Sequence, residues 1–150
     1  MLPTTMVDVL QGHRVLAFDL ETTGISTNSD KIVQIALIGA DTDGTPIHYE
    51  VLINPQRPIP FGASNVHGIY DSDVKGKPNF NHFAKEISDL MKGSVIVGHN
   101  ARKFDIPLLE NEFYRCGISP PRPVVVLDTL ETVRRLKIPR PHNLGAQCAR

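Results

Sequence analysis

The sequence predicts an α/β domain built on a mixed sheet, and three features carry that prediction. Three apolar runs rich in β-branched residues follow one another near the start, parted by turn-forming residues. The second half alternates amphipathic helical patterns with short apolar runs, and 150 residues suit one hydrophobic core. Successive strands with short turns imply an antiparallel meander. Alternation of strand and helix implies crossovers to parallel neighbours. We therefore expect one domain over residues 1–150.

Each element has its own justification. "RVLAFDLET" (14–22) is an apolar run ending in two carboxylates and then Gly24, a buried strand entering a turn. "KIVQIALIGAD" (31–41) is a second strand, and "DTDGT" after it is the turn chemistry that closes a hairpin onto a third, "PIHYEVLIN" (46–54). From Asn54 to Lys77, Pro, Gly, Asn and Asp dominate, which predicts a long loop with short helical turns around "SNVHGI". "FNHFAKEISDLMKG" then places Phe80, Phe83, Ala84, Ile87, Leu90 and Met91 at helical spacing, with Gly93 as the stop. "SVIVGHN" is a short buried strand. "IPLLENEFYRCG" is a helix with Ile106, Leu109, Phe113 and Cys116 on one stripe and Gly117 past its end. "RPVVVLDTL" gives a last strand and "ETVRRLK" a short helix, so the order is β-β-β-α-β-α-β-α. In such sheets sites gather at the carboxyl ends of strands, where Asp19, Glu21, His99 and Asp128 would fall.

Bulk composition narrows the function little. Lys plus Arg and Asp plus Glu number 16 each, so net charge favours neither nucleic acid nor membrane, although residues 101–150 carry 9 basic and 5 acidic side chains. Cys116 and Cys148 are too few for a disulfide framework or zinc motif, which suits a reducing cytoplasm. No apolar run approaches the ~20 residues of a membrane span and the N-terminus lacks a signal pattern. A soluble cytoplasmic protein is expected.

The chemistry lies in two stretches. Side chains alternate along a strand, so Asp19 and Glu21 in "VLAFDLETTG" point to one side. Two close carboxylates repel unless they share a proton or bind a hard divalent cation, for which oxygen ligands are suited. The plainer alternative leaves Glu21 solvated in the turn. "VGHNARKFD" (97–105) leads from a strand through Gly98, His99 and Asn100 to Asp105 at the start of a helix. Asp105 alone would read as a helix cap, with Pro107 in the first turn behind it.

Together, "FDLETTG", "VHGI" (66–69) and "GHNARKFD" resemble the DEDD exonucleases, in particular the histidine-type group similar to the proofreading epsilon subunit of bacterial DNA polymerase III. The resemblance covers nearly the whole chain in order. It implies a ribonuclease H-like fold with a five-stranded mixed sheet. It also implies removal of nucleotides from a 3′ end by hydrolysis assisted by two divalent cations, Mg²⁺ or Mn²⁺. Two cations about 3.5–4 Å apart stabilise the attacking and leaving oxygens of an in-line displacement, and carboxylates must hold them. By resemblance Asp19 bridges both cations, Glu21 ligates the one that activates water, and Asp105 supports the second. Thr22 and Thr23 would hold the terminal nucleotide, with His67 and Asn100 on the substrate side; a plain loop hydrogen bond is the equal alternative for His67. Asp128 reads as a structural or capping acid. The implied partners are single-stranded or frayed 3′ ends of DNA, RNA being inseparable on these residues, and a DNA polymerase subunit.

One part of the family pattern is missing. Its third motif is a histidine followed five residues later by aspartate, the general base and a direct ligand. Here the last acidic residue is Glu131, and the one histidine after it is His142. The expectation is an exonuclease domain incomplete at its C-terminal side, weakly active or inactive alone, since a general base is typically worth ~10²–10⁴-fold. Two other readings stay open. A non-catalytic module binding nucleic-acid ends or a protein needs less of the site, and a second polypeptide could supply the missing helix. Haloacid dehalogenase-like phosphatases also open with acids two apart, but their second acid is normally Asp and "GHNARKFD" has no place in them.

Overall fold

In a computed structural model, which describes residues 12–130, the sheet has five strands in the order β3-β2-β1-β4-β5. Strands β1 (Val15–Thr22), β2 (Ile32–Ala40) and β3 (Pro46–Leu52) form the antiparallel meander. Strands β4 (Val95–Gly98) and β5 (Val125–Asp128) run parallel to β1, as the crossover argument requires. This is the ribonuclease H-like arrangement. The helix expected at 131–137 lies outside the described residues.

Alternation along β1 divides the two faces. Leu16, Phe18 and Leu20 are buried, opposite the equally buried Leu37 and Ile35 of β2. Ala17, Asp19 and Glu21 take the other face. Against the buried face pack α3 (Phe80–Met91) and α4 (Ile106–Arg115). The α3 stripe is the one its periodicity predicts, with Phe80, Ala84, Ile87 and Met91 buried and Phe83 and Leu90 partly so. Phe80 meets Phe113 of α4 edge-to-face at 5.0 Å, an arrangement worth about 0.5–1.5 kcal/mol beyond its buried area.

Two elements depart from the expectation. The stretch from 54 to 77 contains two short helices, α1 (Phe61–His67) and α2 (Asp71–Val74), closing a small cluster of Val33, Ile59, Ile69 and Val74. Helix α1 begins three residues before the expected turns because Pro60 presets the extended entry and its carbonyl accepts from Ala63 and Ser64 N–H. On α4 the buried stripe includes Leu108 and Glu112, with Ile106 and Cys116 only half-buried. Glu112 is satisfied by the Ile32 N–H at 3.0 Å, Arg115 at 3.1 Å and Lys31 at 3.7 Å.

Candidate active site

Strand β1 delivers the first two carboxylates. Its pairing with β2 slips between Glu21 and Thr22, where the strand leaves the sheet, and irregularities of this kind re-aim side chains beside active sites. Asp19 stands on the open face, yet the sheet around its carboxyl withdraws enough water to raise its pKa. Glu21 is raised by burial and then by Asp19, with His67 opposing.

The third carboxylate arrives on a single π-helical turn, Ala101–Asp105, ahead of α4. Three features shape this turn. Gly98 ends β4 where a Cβ would lie 2.8 Å from the Ala101 side chain, so the chain can fold back only over glycine. Asn100 adopts the left-handed conformation at φ 57°, which Asn tolerates better than most residues. The Asp128 carboxylate then accepts the N–H groups of Asn100 at 2.9 Å and Arg102 at 3.2 Å. Asp105 is itself helical (φ −64°, ψ −46°) and its side chain caps nothing, so the capping reading fails. It is 6% exposed, and its pKa is pushed up to about 8 by burial first, then by the negative charges of Asp19, Glu21 and Asp128.

Three carboxylates raised by burial, with Asp19 raising Glu21 and both raising Asp105, are an oxygen donor set suited to a hard cation. Among the described residues no three His, Cys, Asp or Glu side chains close on one ion. The arrangement fits a cation held by one or two carboxylates and completed by water and phosphate oxygens, the usual mode for Mg²⁺.

Beside the carboxylates lies a groove of about 490 Å³, walled by Ile25, Ala63, Val66 and Phe104 and edged by Thr22 and His67. The His67 Nδ1 accepts the Ile69 N–H at 3.1 Å, so its hydrogen sits on Nε2 and is donated to the Thr22 carbonyl at 3.0 Å. The loop hydrogen bond foreseen for His67 is therefore present, and it ties α1 to the end of β1. The Thr22 hydroxyl donates to the Gly24 carbonyl at 2.7 Å. The Thr23 hydroxyl donates to Asp30 at 2.7 Å and accepts the Lys31 N–H at 3.0 Å, so the buried Thr23 shapes the turn from within. Asn100 and His99 sit at the end of β4, with the His99 Nδ1 2.9 Å from the Thr129 hydroxyl.

Sequence reasoning passed over Asp30, Glu112 and Phe104. Glu112 carried a signal, standing three and four residues from Leu109 and Leu108 on the inward stripe. Phe104, inside "GHNARKFD", could have been read as a wall. Asp30, in the run "STNSDK", carried none.

The geometry agrees with relatedness. The exonuclease family profile named for RNase T matches residues 16–150. The epsilon subunit of DNA polymerase III from Treponema pallidum is 36% identical over 104 residues, covering 69% of this chain and 48% of that protein. The Pasteurella multocida epsilon subunit is 30% identical over 155 residues, covering 97% of this chain and 60% of that one. The zinc-bound form of Escherichia coli exonuclease I in complex with single-stranded DNA superimposes with a TM-score of 0.73 at 26% identity, over 85% of this chain and 30% of that one. The chain thus spans about half the length of these epsilon subunits and under a third of exonuclease I. A profile match running from β1 to residue 150, on a sheet shared with a DNA-bound exonuclease, places the chain in the RNase T exonuclease family.

Proposed function

We propose that this domain hydrolyses phosphodiester bonds at the 3′ end of a nucleic-acid strand, with divalent cations, two Mg²⁺ or Mn²⁺, held by Asp19, Glu21 and Asp105. The observation that carries this reading is that the buried Asp105 feels the charges of Asp19 and Glu21, and that Glu21 edges an apolar groove. Bound there, the cations supply positive charge to the attacking and leaving oxygens.

The remaining steps belong to the chain's own residues. Bare carboxylates repel a phosphodiester, so productive binding waits until their charge is neutralised. The groove receives the terminal base against Ile25, Val66 and Phe104, while Thr22 and Thr23 keep its floor in shape and His67 and Asn100 flank the sugar-phosphate side. A pocket for one unstacked base requires a single-stranded or frayed end, since a base within a duplex is not free to enter. DNA is the favoured substrate because the epsilon relatives are DNA polymerase III subunits and exonuclease I was crystallised with single-stranded DNA. The polymerase context of those names likewise favours a polymerase subunit as partner.

The given sequence holds no histidine with an aspartate five residues on beyond Asp128. Cleavage by this chain alone is therefore weak, and binding of ends outlasts it. The test is a 5′-labelled single strand incubated with Mg²⁺ or Mn²⁺. Slow shortening from the 3′ end, abolished by Asp19→Ala, is the expected result. Shortening from the 5′ end, or cleavage indifferent to Asp19→Ala, would overturn the reading. A strand bound with strong salt dependence yet never shortened would favour the end-binding module instead.

A further inference from the structure

Asp105 is the least exposed of the three carboxylates, and its position depends on the turn that leads into α4. Ala101–Asp105 is one π-helical turn entered through a left-handed Asn100. Besides its own backbone bonds, side chains and carbonyls at the end of β5 tie it down. Asp128, 5% exposed, accepts the Asn100 N–H and the Leu130 N–H on Oδ1, both at 2.9 Å, and the Arg102 N–H on Oδ2 at 3.2 Å. The Arg102 guanidinium also donates to the Val126 carbonyl, two residues back along β5. Both residues on the β5 side belong to the strand that pairs in parallel with β4, so the turn is fastened to a rigid element on either flank.

We infer that Asp128 is a positioning residue for the cation site: by hanging the Ala101–Asp105 turn from β5, it holds the Asp105 carboxylate where it can meet a cation also bound by β1. This rests on the reading of Asp19, Glu21 and Asp105 as cation ligands. A capping acid with a purely structural role would lower stability without moving cation affinity. A positioning residue moves affinity more than stability, and loss of a comparable outer contact typically costs 10–100-fold in metal affinity.

The full 150-residue chain is titrated calorimetrically with Mn²⁺ as wild type, Asp128→Asn, Asp128→Glu and Glu112→Gln, with thermal unfolding recorded for each. Asp128→Asn keeps one acceptor oxygen but turns an amide donor toward the turn. Asp128→Glu keeps the charge but displaces both oxygens by a methylene. Both are expected to weaken Mn²⁺ binding by about tenfold or more. Glu112→Gln, buried elsewhere on α4, lowers the unfolding temperature and leaves affinity within about twofold. A folded Asp128→Asn or Asp128→Glu that binds like wild type would overturn the proposal. Should neither variant fold, the wild type decides: coupling is reciprocal, so Mn²⁺ must slow amide exchange in the segment 99–105, and unchanged exchange overturns it. Wild type that binds Mn²⁺ but never shortens a strand removes the hydrolytic reading alone, whereas wild type that binds no Mn²⁺ removes both.

Discussion

The Thr23 hydroxyl donates to the Asp30 carboxylate at 2.7 Å, and this contact closes the turn that carries the groove wall. The second Asp30 oxygen accepts the Ser26 N–H at 2.8 Å, and a Cβ at position 24 would lie 2.5 Å from it, so Gly24 is required by the carboxylate beside it. Asn111, Arg115 and Arg57 then donate to the carbonyls of Thr27, Asn28 and Ser29. A loop so fully bonded is a fixed wall rather than a moving lid. Asp30→Ala removes two hydrogen bonds to a charged acceptor and leaves the Thr23 hydroxyl without its acceptor. Urea unfolding is expected to show a loss of about 1–3 kcal/mol. No loss would mean that the loop holds without Asp30.

Glu112 joins β2 to α4 from inside the core. It is 1% exposed, accepts from the Ile32 N–H and Arg115, and pairs with the Lys31 ammonium at 3.7 Å. Glu112→Ala leaves the buried Ile32 N–H without its acceptor and removes a partner of the part-exposed Arg115 and Lys31, and an unsatisfied buried donor costs about 1–3 kcal/mol. Glu112→Leu also removes the charge, but it fills the space and should recover part of that cost. Denaturant midpoints of the two variants make the comparison, and equal losses would show that filling the space recovers nothing.

The course of the polypeptide was legible where one physical rule governs an element. Period-two burial in β1 put Asp19 and Glu21 on one face, and the 3.6-residue period of α3 named its core residues. Asp19 and Glu21 stood out in the sequence because acids in a strand demand a reason. What stayed hidden depends on pairings between distant segments. Asp30 acts through Thr23 and Ser26 across a turn, and Asp128 acts on Asn100 and Arg102 from 26 to 28 positions away in sequence. Asp105 shows the limit well. Its neighbours favour a helix cap, and only the left-handed Asn100 and the π turn after it carry the side chain inward.

Removing or supplying the cation should register in stability. A ligand that binds only the folded state stabilises it by RT ln(1 + [L]/Kd), about 2.7 kcal/mol at a hundredfold excess over Kd. Mn²⁺ is expected to raise the unfolding temperature of the wild type, EDTA to reverse the rise, and Asp19→Ala to abolish it. A rise of equal size in Asp19→Ala would place the cation elsewhere on the chain.

Asp105 also makes the metal-free chain pH-dependent, and the direction follows from the raised pKa. An aspartate ordinarily titrates near 3.8, whereas this one is held at about 8 by burial and three neighbouring acids. Between those values the folded chain binds a proton that the unfolded chain has released. Its contribution to stability is complete below about pH 4 and is lost as pH rises through about 8. Asp19 and Glu21 are shifted in the same direction. Metal-free protein should therefore unfold at lower denaturant at pH 8.5 than at pH 6. Asp105→Asn should flatten that difference, gaining on the order of 1–3 kcal/mol over wild type at the alkaline end. Cation binding runs the other way, because Mn²⁺ must displace the same proton: affinity should rise from pH 6 to pH 8, with proton release visible as a dependence of the binding heat on buffer ionisation enthalpy. Affinity that is flat over this range, with no proton release, would mean that Asp105 is already ionised in the empty site and that burial has not raised it.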